Sequence, residues 1–292
     1  MKQRLSKALA ELGVATRREA ERMVLEGRVM VNGRVVREPA HPVVVEQDVF
    51  KVDGKVVRPI EPIYLLVNKP RGVLSVPSDP LGRPTVMEKL RRVKRLLVPV
   101  ARLEADDEGI MLMTSDRRLA HALNHPRAGI PRTYLMKVRG IPDDRTLAKL
   151  RVGVPLQGGR TLPMEVTLVS VTGRNAWLRV TVREVRHRLL RYAMMKLRHP
   201  VTKLKRVQFG PISVKGLAPG TFRKVSSDEL HALKALADAP PGLPDPVPEA
   251  QIAAILNEHR DVGKRPRKKK PTRRDRNTRS PRSRTPRRHV RR

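Results

Sequence analysis

Sixteen of the last 29 residues, Lys264 to Arg292, are Lys or Arg, and only Asp275 among them is acidic. A stretch this charged, broken by Ser, Thr and Pro and lacking apolar periodicity, cannot bury enough surface to offset its chain entropy, so disorder is expected there. Folding is thereby confined to residues 1–263, which keep +20 of the net charge of +35 once the tail's +15 is removed. A folded part so basic predicts a polyanionic partner, because clustered cations displace the counterions of phosphates. The tail reads as a nonspecific RNA or DNA tether, or as a solubilising extension. With three Phe, three Tyr and one Trp in the chain, rows of stacked bases are excluded as the main source of affinity, and phosphates and shape must supply it. The chain has no Cys, which excludes disulfides, thiolate nucleophiles and Cys-based zinc sites. No apolar run reaches the ~18 residues of a membrane span, and Met1-Lys2-Gln3-Arg4 leads into a helical pattern rather than a signal peptide. A cytoplasmic protein without a membrane partner is expected.

The N-terminal segment has the clearest local signals. Leu5, Ala8, Leu9 and Leu12 recur at helical spacing up to Gly13, and Thr16-Arg17-Arg18-Glu19 has the pattern of a capping box opening a second helix with Ala20, Met23 and Val24 on its apolar face. Asn32-Gly33 and Asp53-Gly54 sit between alternating apolar residues, the preferred pairs for tight hairpin turns. Two short helices and a hairpin with Arg17, Arg18 and Arg28 at the junctions make a compact basic unit. Its stretch GVATRREAERMVLEGRVMVNG resembles the S4-like (alpha-L) RNA-binding domain. That resemblance implies docking on structured RNA through Arg17, Arg18 and Arg28.

Further on, YLLVNKPRGVLS (64–75) begins as an apolar strand and breaks at Lys69-Pro70. LLVPVARLEADDEGIMLMTSD (96–116) places four carboxylates, Glu104, Asp106, Asp107 and Glu108, between two apolar strands. Those acids suggest a metal site, a substrate-facing carboxylate or a solvated turn. Their spacing lacks the Gly and ligand periodicity of a calcium loop and no His adjoins them, which disfavours metal. The Pro-rich APPGLPDPVPE (239–249) reads as a linker, and Ile252, Ala253 and Leu256 suggest a short helix after it.

The order of these segments, followed by PRTYLMKVRG (131–140), EVRHRLLRYA (184–193) and HPVTKLKRVQFGPISVKGLAPGTFRKV (199–225), resembles the RsuA-like branch of the pseudouridine synthases. The resemblance implies an α+β fold: an S4-like domain over residues 1–58, then a catalytic domain with a mixed, mostly antiparallel sheet over 62–236. A linker with a short helix over 237–263 and the basic tail 264–292 complete the chain. It implies isomerisation of a uridine in ribosomal RNA to pseudouridine without cofactor or metal, on a flipped-out base, by a monomer acting on ribosomal RNA or a pre-ribosomal particle. In the family an Asp after Arg-Leu attacks or acts as base, a Tyr packs on the base and an Arg pairs with the Asp. Here Arg102-Leu103 precede Glu104, Tyr134 matches the Tyr, and Arg191 falls on the pairing position, while Ala101 stands where Gly is usual. Lys69, Arg71, Arg102, Arg186, His187 and Arg188 are expected on the RNA, with His187 standing in for an Asn. Two readings follow: an active synthase, or a silent family member that binds ribosomal RNA or assists ribosome assembly.

Overall fold

The computed structural model describes residues 2–58, 61–93, 95–240 and 242–259; the disorder expected for 264–292 concerns residues outside this set. The two N-terminal helices form where the apolar spacing places them, at Leu5–Glu11 and Arg17–Leu25. Thr16 caps the second in both directions: the Glu19 amide donates to its Oγ1 at 3.3 Å, and its own amide donates to Glu19 Oε2 at 2.9 Å. Both turns Asn32-Gly33 and Asp53-Gly54 have two consecutive positive φ angles, 49° and 81° in one and 50° and 77° in the other. This is the conformation that the twist of a two-residue hairpin demands. The strands flanking them join into a small four-stranded sheet whose inner face, with Val29, Val31, Phe50 and Val52, packs on Leu5, Leu9 and Val24.

The rest of the chain is built around a nine-stranded sheet. Its main path runs, in spatial order, through Glu165–Thr172, Asn175–Val182, Arg132–Arg139, Val201–Phe209, Glu108–Thr114, Tyr64–Lys69 and Phe222–Lys224. Every pairing on that path is antiparallel except one. Glu108–Thr114 runs parallel to Val201–Phe209 and touches it only at Lys205–Glu108 and Arg206–Gly109. The sheet therefore splays at this junction, and helix Leu189–Lys196 and the loop 101–107 meet beside it. Apolar clusters pack against the sheet around Met136, Leu178 and Leu190, around Leu66, Leu112 and Phe209, and around Val67, Met111 and Met113.

Gly109 makes the close crossing possible. Its φ is +114°, and a Cβ there would overlap the carbonyl of Arg206. Gly109→Ala is expected to cost about 2–5 kcal/mol, combining left-handed strain with overpacking against a backbone. Urea unfolding of the two proteins measures it, and a loss below 1 kcal/mol would show that the crossing relaxes freely.

The helix expected after the Pro-rich segment spans Glu249–Glu258 and packs on helix Asp144–Val152, with Ile252 buried. Among the described residues no helix is long and apolar enough to cross a membrane.

Candidate active site

The loop 101–107 is fixed by a scaffold from three distant segments. Ser75 Oγ donates to the Leu103 carbonyl at 2.8 Å and accepts from the Leu103 amide at 3.2 Å. The amide of Gly72 donates to the Ala105 carbonyl at 2.8 Å. Arg206, fully buried, donates from Nε to the Ile110 carbonyl at 2.7 Å and from its terminal nitrogen to the Ala101 carbonyl, with Phe209 against its guanidinium. Ala101 is held at φ 52°, and its amide donates to Asn124 Oδ1 at 2.8 Å. That left-handed backbone explains why Gly is expected at this position, and why Ala there stores strain.

With Leu103 anchored inward, Arg102 and Glu104 face a cleft of about 470 Å³. Tyr134 enters it from the central strand, its ring half-buried against the apolar core and its hydroxyl beside the Arg206 guanidinium. Arg191 enters from helix Leu189–Lys196, whose Leu189, Leu190, Ala193 and Met194 are buried and orient it. The three expected catalytic positions, Glu104, Tyr134 and Arg191, thus line one cavity.

The expected ion pair is not made as the sequence suggests. Arg191 bonds Asp107, and Glu104 instead meets His187 Nε2 at 3.2 Å. The division follows from the loop's geometry: Asp107, 6% exposed, turns under the loop toward the helix, whereas the longer Glu104 reaches out toward the segment before the helix. Burial pushes the Asp107 carboxyl above its ordinary range, Arg191 pulls it back, and the nearby Glu104 charge adds to the rise. The cleft accordingly holds three carboxylates: Glu184 is tied to Arg186 and the Leu162 amide, Asp107 is closed off and ion-paired with Arg191, and Glu104 is open and beside an imidazole.

Three residues expected on RNA are already committed elsewhere. Lys69 is fully buried, and its ammonium donates to the carbonyls of Val73 at 2.7 Å, Pro70 at 3.1 Å and Ala105 at 3.3 Å. It buttresses the loop from behind and does not face solvent. Arg28 spends its donors on Asp53, at 2.8 and 2.6 Å, and on Glu26 at 3.2 Å, pinning the hairpin turn. Arg186 is clamped by Glu184 and by the carbonyls of Gly159 at 3.0 Å and Arg160 at 3.2 Å, so it shapes the rim of the cleft. By contrast Arg18, Arg102 and Arg188 are exposed. Arg17 and Arg71 are exposed too, with acidic neighbours no nearer than 3.8 Å (Glu21) and 3.9 Å (Asp106).

Sequence reasoning missed two residues. Asp107 was one of four adjacent acids, and nothing local separates it from them. Arg206 lies in a strand with Lys203 and Lys205, and the one available signal was its two-residue phase with buried Leu204.

Burial lowers the Lys69 amine from its ordinary 10.5 to about 8, against the pull of Asp107 and its acidic neighbours. Between those values the unfolded chain holds the proton and the native protein does not, so stability rises with pH across that window. Lys69→Met removes the effect along with three carbonyl contacts. Its destabilisation is expected to be larger at pH 10 than at pH 7.5 by on the order of 2 kcal/mol. Urea titrations at both pH values test this, and a pH-independent difference would overturn it.

Comparison with known proteins matches these two parts of the chain separately. The S4 domain family matches residues 3–49, and the RNA pseudouridylate synthase family matches residues 63–196. An uncharacterized RNA pseudouridine synthase of Aquifex aeolicus is 38% identical over 234 residues, covering 80% of this chain and 94% of that protein. The ribosomal large subunit pseudouridine synthase B of Bacillus subtilis is 38% identical over 238 residues, covering 81% and 97%. A crystal structure of a pseudouridylate synthase shares the fold, with a TM-score of 0.57 and 24% identity over 79% of this chain and 99% of that one. Taken with the cleft, these likenesses show that the chain belongs to the RNA pseudouridylate synthase family and carries an S4 domain at its N-terminal end.

Proposed function

We propose that this protein converts a uridine of large-subunit ribosomal RNA to pseudouridine, with Glu104 as the carboxylate that meets the base. The observation that carries the reading is the convergence of Glu104, Tyr134 and Arg191, from three separate segments, on one cleft. The relatedness to a ribosomal large subunit synthase supports the choice of RNA.

Isomerisation requires the bond from uracil N1 to the ribose to break, the base to turn, a bond from C5 to the ribose to form, and a proton to leave C5 while N1 gains one. A flipped uridine resting on the Tyr134 ring brings its glycosidic bond into the cleft. Glu104, open to solvent on one side, reaches it as nucleophile or base, and His187 at 3.2 Å orients that carboxylate. The Asp107–Arg191 pair at the floor supplies a fixed dipole in a poorly hydrated site. Arg102 and Arg188 at the mouth, and Arg17 and Arg18 on the S4 domain, hold phosphates.

A second reading is favoured by one observation, the engagement of Arg191 by Asp107 in place of the residue at 104. It makes the protein a silent family member that binds ribosomal RNA. Mapping pseudouridines in ribosomal RNA from cells with and without the gene separates the two. Loss of one large-subunit site is expected, whereas an unchanged map with defective subunit assembly would establish the binding role.

A further inference from the structure

Beside the cleft, on the far side of Arg186 and His187, lies a second depression of about 610 Å³ with no part in the chemistry above. Its wall is the outer face of helix Leu189–Lys196, where Tyr192, Met195 and Lys196 stand at i, i+3 and i+4 and are all exposed. Tyr192 is 44% exposed and Met195 60%, although both are large and apolar. Among the described residues the Tyr192 hydroxyl has no hydrogen-bond partner. The opposite wall is the tight turn Leu156–Gly159, which presents the Gln157 amide, a group with both a donor and an acceptor.

We propose that this depression is a second base-binding subsite, which takes an unpaired nucleotide next to the target uridine. The proposal rests on the RNA-modifying reading of the adjoining cleft. An aromatic face with a thioether beside it suits a nucleobase, which stacks on exposed rings. Lys196 stands on its far side as an exposed cation, Arg186, held by Glu184, and His187 form the boundary with the catalytic cleft, and no acid is among the described residues of the lining. Because Arg186, His187 and Leu189 line both cavities, one strand can pass from the first into the second without leaving protein. The target base then enters against Tyr134, its neighbour stacks on Tyr192, and Lys196 meets the phosphate beyond. Gln157 faces the edge of that second base and gives the subsite a means of choosing it.

The test is equilibrium binding of the full-length protein to two probes, octauridylate and the same ribose-phosphate octamer lacking all bases. Tyr192→Ala is expected to weaken octauridylate binding about tenfold and to leave the abasic octamer within twofold. Tyr192→Phe keeps the ring and should bind both probes like the wild type. Lys196→Ala should weaken both probes equally, as loss of a phosphate contact does. No loss on octauridylate with Tyr192→Ala, or an equal loss on both probes, would overturn the subsite. Turnover does not enter this measurement, so a protein that proved silent would overturn the proposed reaction and leave the subsite standing or falling on the binding alone.

Discussion

Glu104→Gln is expected to abolish pseudouridine formation while leaving thermal stability and RNA affinity unchanged. The side chain is 44% exposed and meets the His187 imidazole, itself 69% exposed, so an isosteric amide there removes little from the fold. What it removes is the negative charge that attack or proton abstraction requires. Glu104→Asp is the more informative change. It withdraws the carboxylate by up to ~1.5 Å, the length of one carbon–carbon bond, and a misplacement of about 1 Å costs on the order of a hundredfold in rate. If Glu104 were a damaged Asp, the shorter side chain would restore activity. The structure favours the opposite sign. His187 sits where the longer carboxylate reaches, and a shorter side chain would lose that contact. Activity of Glu104→Asp should therefore fall by about a hundredfold. Equal product from wild type and Glu104→Gln would remove this residue from the chemistry and leave Asp107 as the next candidate among the carboxylates of the cleft.

Those assignments show which parts of the molecule are local in origin. The Thr16–Glu19 capping box and the Asn32-Gly33 and Asp53-Gly54 turns form as the sequence suggests, because each is decided within four residues. Tyr134 and Arg191 reach the cleft because a strand and a helix with well-patterned apolar faces leave them one direction to point. The partner of Arg191 was not legible, since it is 84 residues away and depends on how one loop turns under itself. Lys69 misled for the same reason. Its sequence neighbours describe an exposed basic turn, while its three acceptors come from a loop that folds back over it and from a carbonyl 36 residues distant. Arg28 and Arg186 look like RNA contacts on charge alone, and only the structure shows their donors already taken.

A large loss of stability is expected from Asp107→Asn. The Arg191 side chain is only 18% exposed, and among the described residues its Nε is buried without an acceptor and its other hydrogen bond is a 3.5 Å approach to the Val201 carbonyl. Removing the Asp107 charge leaves a guanidinium with no counter-ion in a poorly hydrated place, which costs about 3 kcal/mol or more. For a chain of this size that corresponds to a fall in Tm of roughly 10 °C, measurable by differential scanning calorimetry. The effect of the single substitution on activity is uninterpretable by itself, because a loosened floor moves Glu104 as well. The double variant Asp107→Leu, Arg191→Met resolves this. Replacing both members of a buried pair by apolar groups of similar size is often neutral for stability, so its Tm should recover most of the loss. Activity should not recover, because the charge on Arg191 is needed beside the reacting base and not to hold the helix in place. A double variant that regained both Tm and turnover would show the pair to be a packing device and would leave His187 as the side chain that acts on Glu104.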